Sequence, residues 1–249
     1  MQFFQQLKKH VPNTFTLLSL AGGMLAIIFT FHTQLMGYVP FIILFCALFD
    51  FLDGLTARWL GAYSDIGKEL DSLADVVSFG VAPGILMFRT MEKGFTELNP
   101  SFQLESASAW QWLLFASTFL IPAFSALRLA KFNLDSSQKT SFKGLPTPAS
   151  GLFVVFLFLL LLKPDSVPFR SILNHPLVLT LISVTLSVLM VSNLRMISLK
   201  FKHYKPGGNE TRYFLLVSGL VLIISLGAAG GLITMLLYIL LSVLFPPDN

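Results

Sequence analysis

Long apolar stretches alternate along the chain with short polar connections, most of them basic. Residues 11–49 contain no Asp, Glu, Lys or Arg, and neither do residues 213–247. A helix that crosses the hydrocarbon core needs roughly 20 apolar residues. Each stretch is therefore long enough for about two crossings. The whole pattern gives eight apolar segments, near 12–32, 36–58, 70–90, 109–131, 147–163, 173–194, 212–228 and 231–246. The last two are short, and Gly227, Gly230 and Gly231 mark the turn between them. Ahead of the first, Phe3, Phe4, Leu7 and Val11 recur at three- and four-residue spacing. That spacing predicts a short amphipathic helix over 1–11, lying in the membrane interface. The expected fold is an all-α integral membrane protein: a bundle of about eight (six to eight) transmembrane helices preceded by that N-terminal helix. Residues 12–165 are read as the catalytic membrane domain, and 166–249 as a C-terminal transmembrane extension of the same bundle.

Composition sharpens this picture. The chain is 54% hydrophobic and 12% charged, and its mean hydropathy is +0.74. Soluble domains carry about 25% charged residues. The single cysteine, Cys46, excludes an intrachain disulfide and reads as a small buried hydrophobe. The formal charge of +4 comes from basic residues between apolar runs, which points to topology and anionic membrane lipids and away from nucleic acid. Lys8, Lys9, Arg58, Lys68, Arg128, Lys131, Lys139, Lys143, Arg195, Lys200, Lys202, Lys205 and Arg212 fall at the N-terminus and at alternate connections. The opposite connections hold Arg89, Lys93, Lys163 and Arg170, diluted by Glu92, Glu97, Glu105 and Asp165. The positive-inside rule places the first set in the cytoplasm, in a multi-pass protein of the cell (inner) membrane.

The candidate chemistry sits in one stretch. Asp50 and Asp53 are three residues apart; Asp71 and Asp75 are four apart. On helices each pair shares a face. The two segments are consecutive and joined by a short polar connection around Gly61–Gly67, so four carboxylates can converge on one pocket. Each charge in hydrocarbon costs a few kcal/mol, and neighbouring like charges repel. Binding one or two divalent cations keeps such a group ionised, and an all-oxygen donor set suits Mg²⁺ or Mn²⁺ over zinc. Gly54 and Ala57 leave a bare helix face where a flat base or a phosphate can approach. Arg58 stands one turn beyond Gly54, placed to take an oxyanion. Gly67, one turn before Asp71, opens the facing helix.

The run Asp50-x-x-Asp53-Gly54-x-x-Ala57-Arg58, followed after eight residues by Gly67-x-x-x-Asp71-x-x-x-Asp75, resembles the signature of the CDP-alcohol phosphotransferases at every fixed position. The resemblance implies that Asp50, Asp53, Asp71 and Asp75 bind two divalent metals, with Asp75 the general base for the acceptor hydroxyl beside Asp71. It implies attack on the β-phosphate of a CDP-lipid, with CMP leaving. Pro12-Asn13-x-x-Thr16 resembles the stretch that borders the cytidine pocket in that family. With Gly54, Ala57, Arg58 and Gly67 it gives the expected CDP site.

Three further stretches resemble the bacterial branch of the family that makes phosphatidylserine: Glu69 to Pro83, Ser125-Ala-Leu-Arg128-Leu-Ala-Lys131-Phe-Asn133, and Phe142-Lys143-Gly144-Leu-Pro146-Thr147-Pro148-Ala149. The implied substrates are CDP-diacylglycerol and L-serine. Arg128, Lys131 and Asn133 are the candidate acceptor residues, since a zwitterion needs a cation for its carboxylate. A homodimer is also implied. Lys143 reads as an interfacial charge, and Ser192 to Lys202 as a basic boundary. Two alternatives stay open. One is the same chemistry on glycerol 3-phosphate, inositol phosphate or choline; a phosphorylated acceptor needs a denser basic pocket near Arg128. The other, from a different class, is a cation-coupled transporter with buried carboxylates, for which the sequence offers no paired halves.

Overall fold

The computed structural model describes residues 2–134, 142–162, 169–197 and 207–245, with side chains described from residue 11 onward, Phe142 apart. The first helix, α1 (Gln2–Thr30), is continuous through Pro12, so no break separates residues 2–11 from the first apolar run. Of the side chains that define the expected amphipathic face, Phe3, Phe4 and Leu7 lie outside the described ones. A short 3-10 turn leads into α2 (Val39–Leu60), with Pro40 in the first helical turn, where a missing N–H is tolerated. The next run comprises α3 (Asp65–Asp75), one π-helical stretch (Val76–Val81) and α4 (Ala82–Leu98). It is followed by α5 (Ala109–Ala116) and α6 (Leu120–Leu134), joined by one 3-10 turn.

Four helical runs, Val11–Thr30, Met36–Leu60, Asp65–Leu98 and Ala109–Leu134, are long and apolar enough to cross a membrane. Shorter apolar helices follow: α7 (Thr147–Leu162), α9 (Pro176–Val191) after the single turn α8 (Arg170–Leu173), and α11 (Ala228–Leu244). Between α9 and α11 lies α10 (Glu210–Leu226). The protein is an all-α integral membrane protein, and each expected apolar segment is helical. One small departure is a two-stranded antiparallel ladder, β1 (Phe142–Lys143) with β2 (Arg195–Met196), in the register Phe142 to Met196 and Lys143 to Arg195. A second concerns the α10–α11 turn. Only Gly227 makes it, with φ +59°; Gly230 and Gly231 lie inside α11. A Cβ on Gly230 would sit 1.9 Å from the Leu222 carbonyl oxygen, and one on Gly231 2.3 Å from the Phe156 ring. These two glycines seat α11 against α10 and α7, as small residues do between membrane helices.

The π stretch packs closely against α1 and α6. Ser78 donates to the Ser19 carbonyl at 2.9 Å. A Cβ on Gly23 of α1 would lie 2.9 Å from the Ser78 Cα, and one on Gly80 2.9 Å from the Ser125 Cβ on α6. The extra backbone bulk of a π turn is thus taken up by Gly23 on α1 and by Gly80 of the stretch itself facing α6. Around it, Phe79, Leu86, Met87, Phe115 and Ile121 are fully buried.

At the C-terminal end of α4 the charged residues pair off. Arg89 bonds Glu92. Arg170 grips Glu97 through two N–H groups at 2.6 and 3.3 Å, and Asn174 donates to the same carboxylate at 2.7 Å. The Lys93 ammonium lies 5.5 Å from the centre of the Phe158 ring. Of the residues that set the expected orientation, Lys139, Lys163, Asp165, Lys200, Lys202 and Lys205 lie outside the described residues, as do the side chains of Lys8 and Lys9.

Candidate active site

The site is built on the α2–α3 turn. Gly61 closes α2 in the left-handed region (φ +59°), its N–H directed to the carbonyls of Ala57 and Arg58. Ser64 then caps α3, accepting from the Gly67 N–H at 3.0 Å. The facing helix therefore opens at Asp65, two residues before the expected Gly67. At 1.5 Å per residue, Asp53 before Gly61 and Asp71 after Ser64 stand about equally far, roughly 11 Å, from the turn. The carboxylates of Asp50, Asp53 and Asp71 consequently meet, each offering an oxygen within 4.8 Å of the others. Two ligands on opposite sides of one Mg²⁺ stand about 4.2 Å apart, and all the donors are hard oxygens. The trio fits a divalent cation.

Asp75 is not in this trio. It lies one turn further along α3, 9% exposed, within electrostatic reach of Asp50, Asp71, Asp53 and Arg128. Thr16 is tied to the trio. Its hydroxyl donates to Asp53 Oδ2 at 2.8 Å, so it holds one of the three carboxylates. Asn13 packs at Gly67, where a Cβ would meet Asn13 Oδ1 at 3.1 Å and Ser64 Oγ at 2.9 Å. Gly67 is there for the close approach of α1 and α3. Gly54 is the opposite case. The nearest atom to a Cβ there is Arg58 Nη2, at 3.9 Å, so the face is open. Arg58 bends back to donate from Nε to the Gly54 carbonyl at 2.9 Å. Its guanidinium therefore flanks the open face one turn from Asp53, with half-buried Ala57 beside it.

Arg128 is 7% exposed. Its Nη1 donates to Thr147 Oγ1 at 3.2 Å, its face lies 6.0 Å from the centre of the Phe132 ring, and its Nε is buried with no hydrogen-bond partner among the described residues. Such an orphaned donor costs folding free energy unless a ligand meets it. Arg128 also lines a cavity of about 360 Å³ with Lys131, Leu134, Lys143, Met190, Val191, Ser192 and Asn193. Arg128 and Lys131 thus come together as expected, while Asn133 does not join them. Its Nδ2 donates to Ser72 Oγ at 3.0 Å and to Glu69 Oε2 at 3.3 Å, and its backbone carbonyl accepts from Lys68. It ties α6 to α3. Lys143, Ser192 and Asn193, read from sequence as boundary residues, are part of the cavity wall.

A family model described as CDP-alcohol phosphatidyltransferase matches residues 9–190. The chain belongs to the CDP-alcohol phosphatidyltransferase family. This family member is a membrane-embedded transferase of phospholipid synthesis. It is similar to the CDP-diacylglycerol–serine O-phosphatidyltransferase of Bacillus subtilis, 34% identical over 202 residues, which cover 81% of this chain and 94% of that protein. It is also similar to proteins of the same description from Helicobacter pylori, 32% identical over 83% of this chain and 77% of that one, and Methanocaldococcus jannaschii, 30% identical over 74% of this chain and 72% of that one. The match includes the acidic trio, Asp75 and Arg128, and it ends before β2, α10 and α11.

Proposed function

We propose that this transferase is a phosphatidylserine synthase, moving the phosphatidyl group of CDP-diacylglycerol to the hydroxyl of L-serine and releasing CMP. The observation that carries the reading is the carboxylate trio of Asp50, Asp53 and Asp71 with Asp75 and Arg128 alongside. The names of the relatives supply the two substrates.

In this reading Asp50, Asp53 and Asp71 hold two divalent ions, Mg²⁺ or Mn²⁺, with Asp75 at the edge of the set. Bound there, the metal offsets negative charge on the pyrophosphate and on the leaving phosphate. Thr16 fixes the Asp53 carboxylate, so that part of the cluster is organised before substrate arrives. The open face at Gly54, flanked by the Arg58 guanidinium, takes the CDP phosphates. Asp75, set apart from the trio, accepts the hydroxyl proton of the acceptor as that oxygen attacks the β-phosphorus. The orphaned Nε of Arg128 and the ammonium of Lys131 hold the acceptor carboxylate. Catalysis is then mainly positioning and electrostatics. The distribution of basic residues supports a cytoplasmic opening.

One observation favours a second reading. The cavity next to Arg128 gathers three cationic side chains, Arg128, Lys131 and Lys143, and among the described residues that line it none is acidic. That is the denser basic pocket a phosphorylated alcohol needs. Both readings are tested by CMP release from purified protein given CDP-diacylglycerol and Mg²⁺ or Mn²⁺, with alcohols added singly. Serine-dependent release abolished by EDTA is the expected result. Release only with a phosphorylated alcohol keeps the mechanism and replaces serine; release with no alcohol contradicts both.

A further inference from the structure

The basic cavity has two kinds of wall. Arg128 and Lys131 project from α6, inside the matched family region. The other wall is loop and strand: Lys143 on β1, and Ser192 and Asn193 just ahead of β2. Loop backbone at a membrane protein's polar cavity is mobile unless something fixes it. Here the fixing contacts are specific. The Gly144 N–H donates to the Leu194 carbonyl at 2.8 Å and the Leu145 N–H to the Leu189 carbonyl at 2.9 Å. Gly144 adopts φ +77°, and a Cβ there would lie 2.2 Å from the Met190 carbonyl oxygen. The β1 side is thereby locked onto the end of α9.

The β2 side is held from elsewhere. The Ile197 peptide, directly after β2, is gripped at both ends by α11. Its carbonyl accepts from the Tyr238 hydroxyl at 3.2 Å, and its N–H donates to Ser242 Oγ at 3.1 Å. Ser242 in turn donates to the Tyr238 carbonyl at 2.7 Å. All three residues are buried, Ser242 at 1% exposure. Helix α11 is itself seated on α7 through Gly231 against Phe156, and Tyr238 is close enough to Arg128 to interact with it electrostatically. The α10–α11 hairpin therefore bridges the catalytic bundle and the strand wall. It lies wholly outside the matched family region.

We infer that the C-terminal hairpin positions the second wall of the acceptor cavity, with Tyr238 and Ser242 as positioning residues that set acceptor affinity through the Ile197 peptide. The inference rests on the reading of this cavity as the acceptor site. Neither residue touches the reacting atoms, so removing either hydroxyl is expected to change acceptor KM and leave kcat alone.

The test uses the full-length protein purified in detergent, with Tyr238→Phe, Ser242→Ala and Ser242→Thr beside the wild type. Losing one hydrogen bond is expected to raise the acceptor KM about fivefold, with kcat and the KM for CDP-diacylglycerol within about twofold of wild type. Ser242→Thr, which keeps the hydroxyl, is expected to restore wild-type KM. Amide hydrogen exchange, which does not depend on turnover, is expected to speed up over 142–145 and 190–197 and stay unchanged over 50–75. Equal rises in both KM values, an unchanged acceptor KM, or unchanged exchange at Ile197 each overturns the inference. If the wild type uses another alcohol, the comparison is made with that alcohol; serine then fails while the hairpin is judged on its own result. Wild-type turnover with no alcohol overturns both.

Discussion

The two ends of the α2–α4 region treat their carboxylates in opposite ways. At the C-terminal end of α4, each described acidic side chain has a basic partner: Glu92 bonds Arg89, and Glu97 takes two N–H groups from Arg170. At the α2–α3 turn three aspartates crowd together within 4.8 Å, and a fourth lies one turn away. Paired charges are content as the chain alone. Gathered like charges raise the free energy of the fold, a cost that a bound cation would offset. The first arrangement joins helices; the second gathers like charge, and on it the proposed metal centre rests.

Substitutions sharpen the contrast, beginning with the largest effect. Asp71→Asn keeps size and shape but removes a charge from the trio. CMP release is expected to fall by about 10³-fold or more, while the helical circular dichroism of the detergent-solubilised protein is unchanged. Arg128→Ala removes a cation that interacts electrostatically with Asp75. The acceptor KM is expected to rise roughly 10- to 100-fold, the loss of a charged hydrogen-bonding group, with the KM for CDP-diacylglycerol much less affected. Equal effects on the two would take Arg128 out of the acceptor site. Thr16→Val removes only the support of Asp53 and is expected to cost about tenfold in kcat/KM, partly recovered at high Mn²⁺. Glu97→Gln, at the paired end, breaks a partly exposed ion pair. It is expected to cost under about 1 kcal/mol of stability and to leave turnover within about twofold. A large activity loss in Glu97→Gln would erase the distinction between the two ends.

The parts of the site that were legible in the sequence are those set by local geometry. Asp50, Asp53 and Asp71 sit on two consecutive helices, so residue spacing and one short turn were enough to bring them together. Helical spans were equally legible from apolar length. Residues whose partners lie far along the chain were not. Asn133 looks like a cavity residue next to Arg128 and Lys131, yet its amide turns to Glu69 and Ser72 on α3. Lys143, Ser192 and Asn193 meet only because β1 pairs with β2 across the intervening α7–α9 segment. Gly230 and Gly231 carry the signature of a turn but serve helix packing, a distinction that needs the neighbours Leu222 and Phe156. The Thr16 to Asp53 bond had a faint signal: a hydroxyl one helical turn from Pro12 on the helix preceding the acidic one.

The most direct test of the central claim is Mn²⁺ binding by the purified full-length protein, followed by electron paramagnetic resonance for wild type and Asp71→Asn. Saturable binding is expected in the wild type, competed by Mg²⁺, with its loss in the folded variant over the same concentrations. Identical binding by the two proteins would contradict the assignment of Asp50, Asp53 and Asp71 as the metal centre.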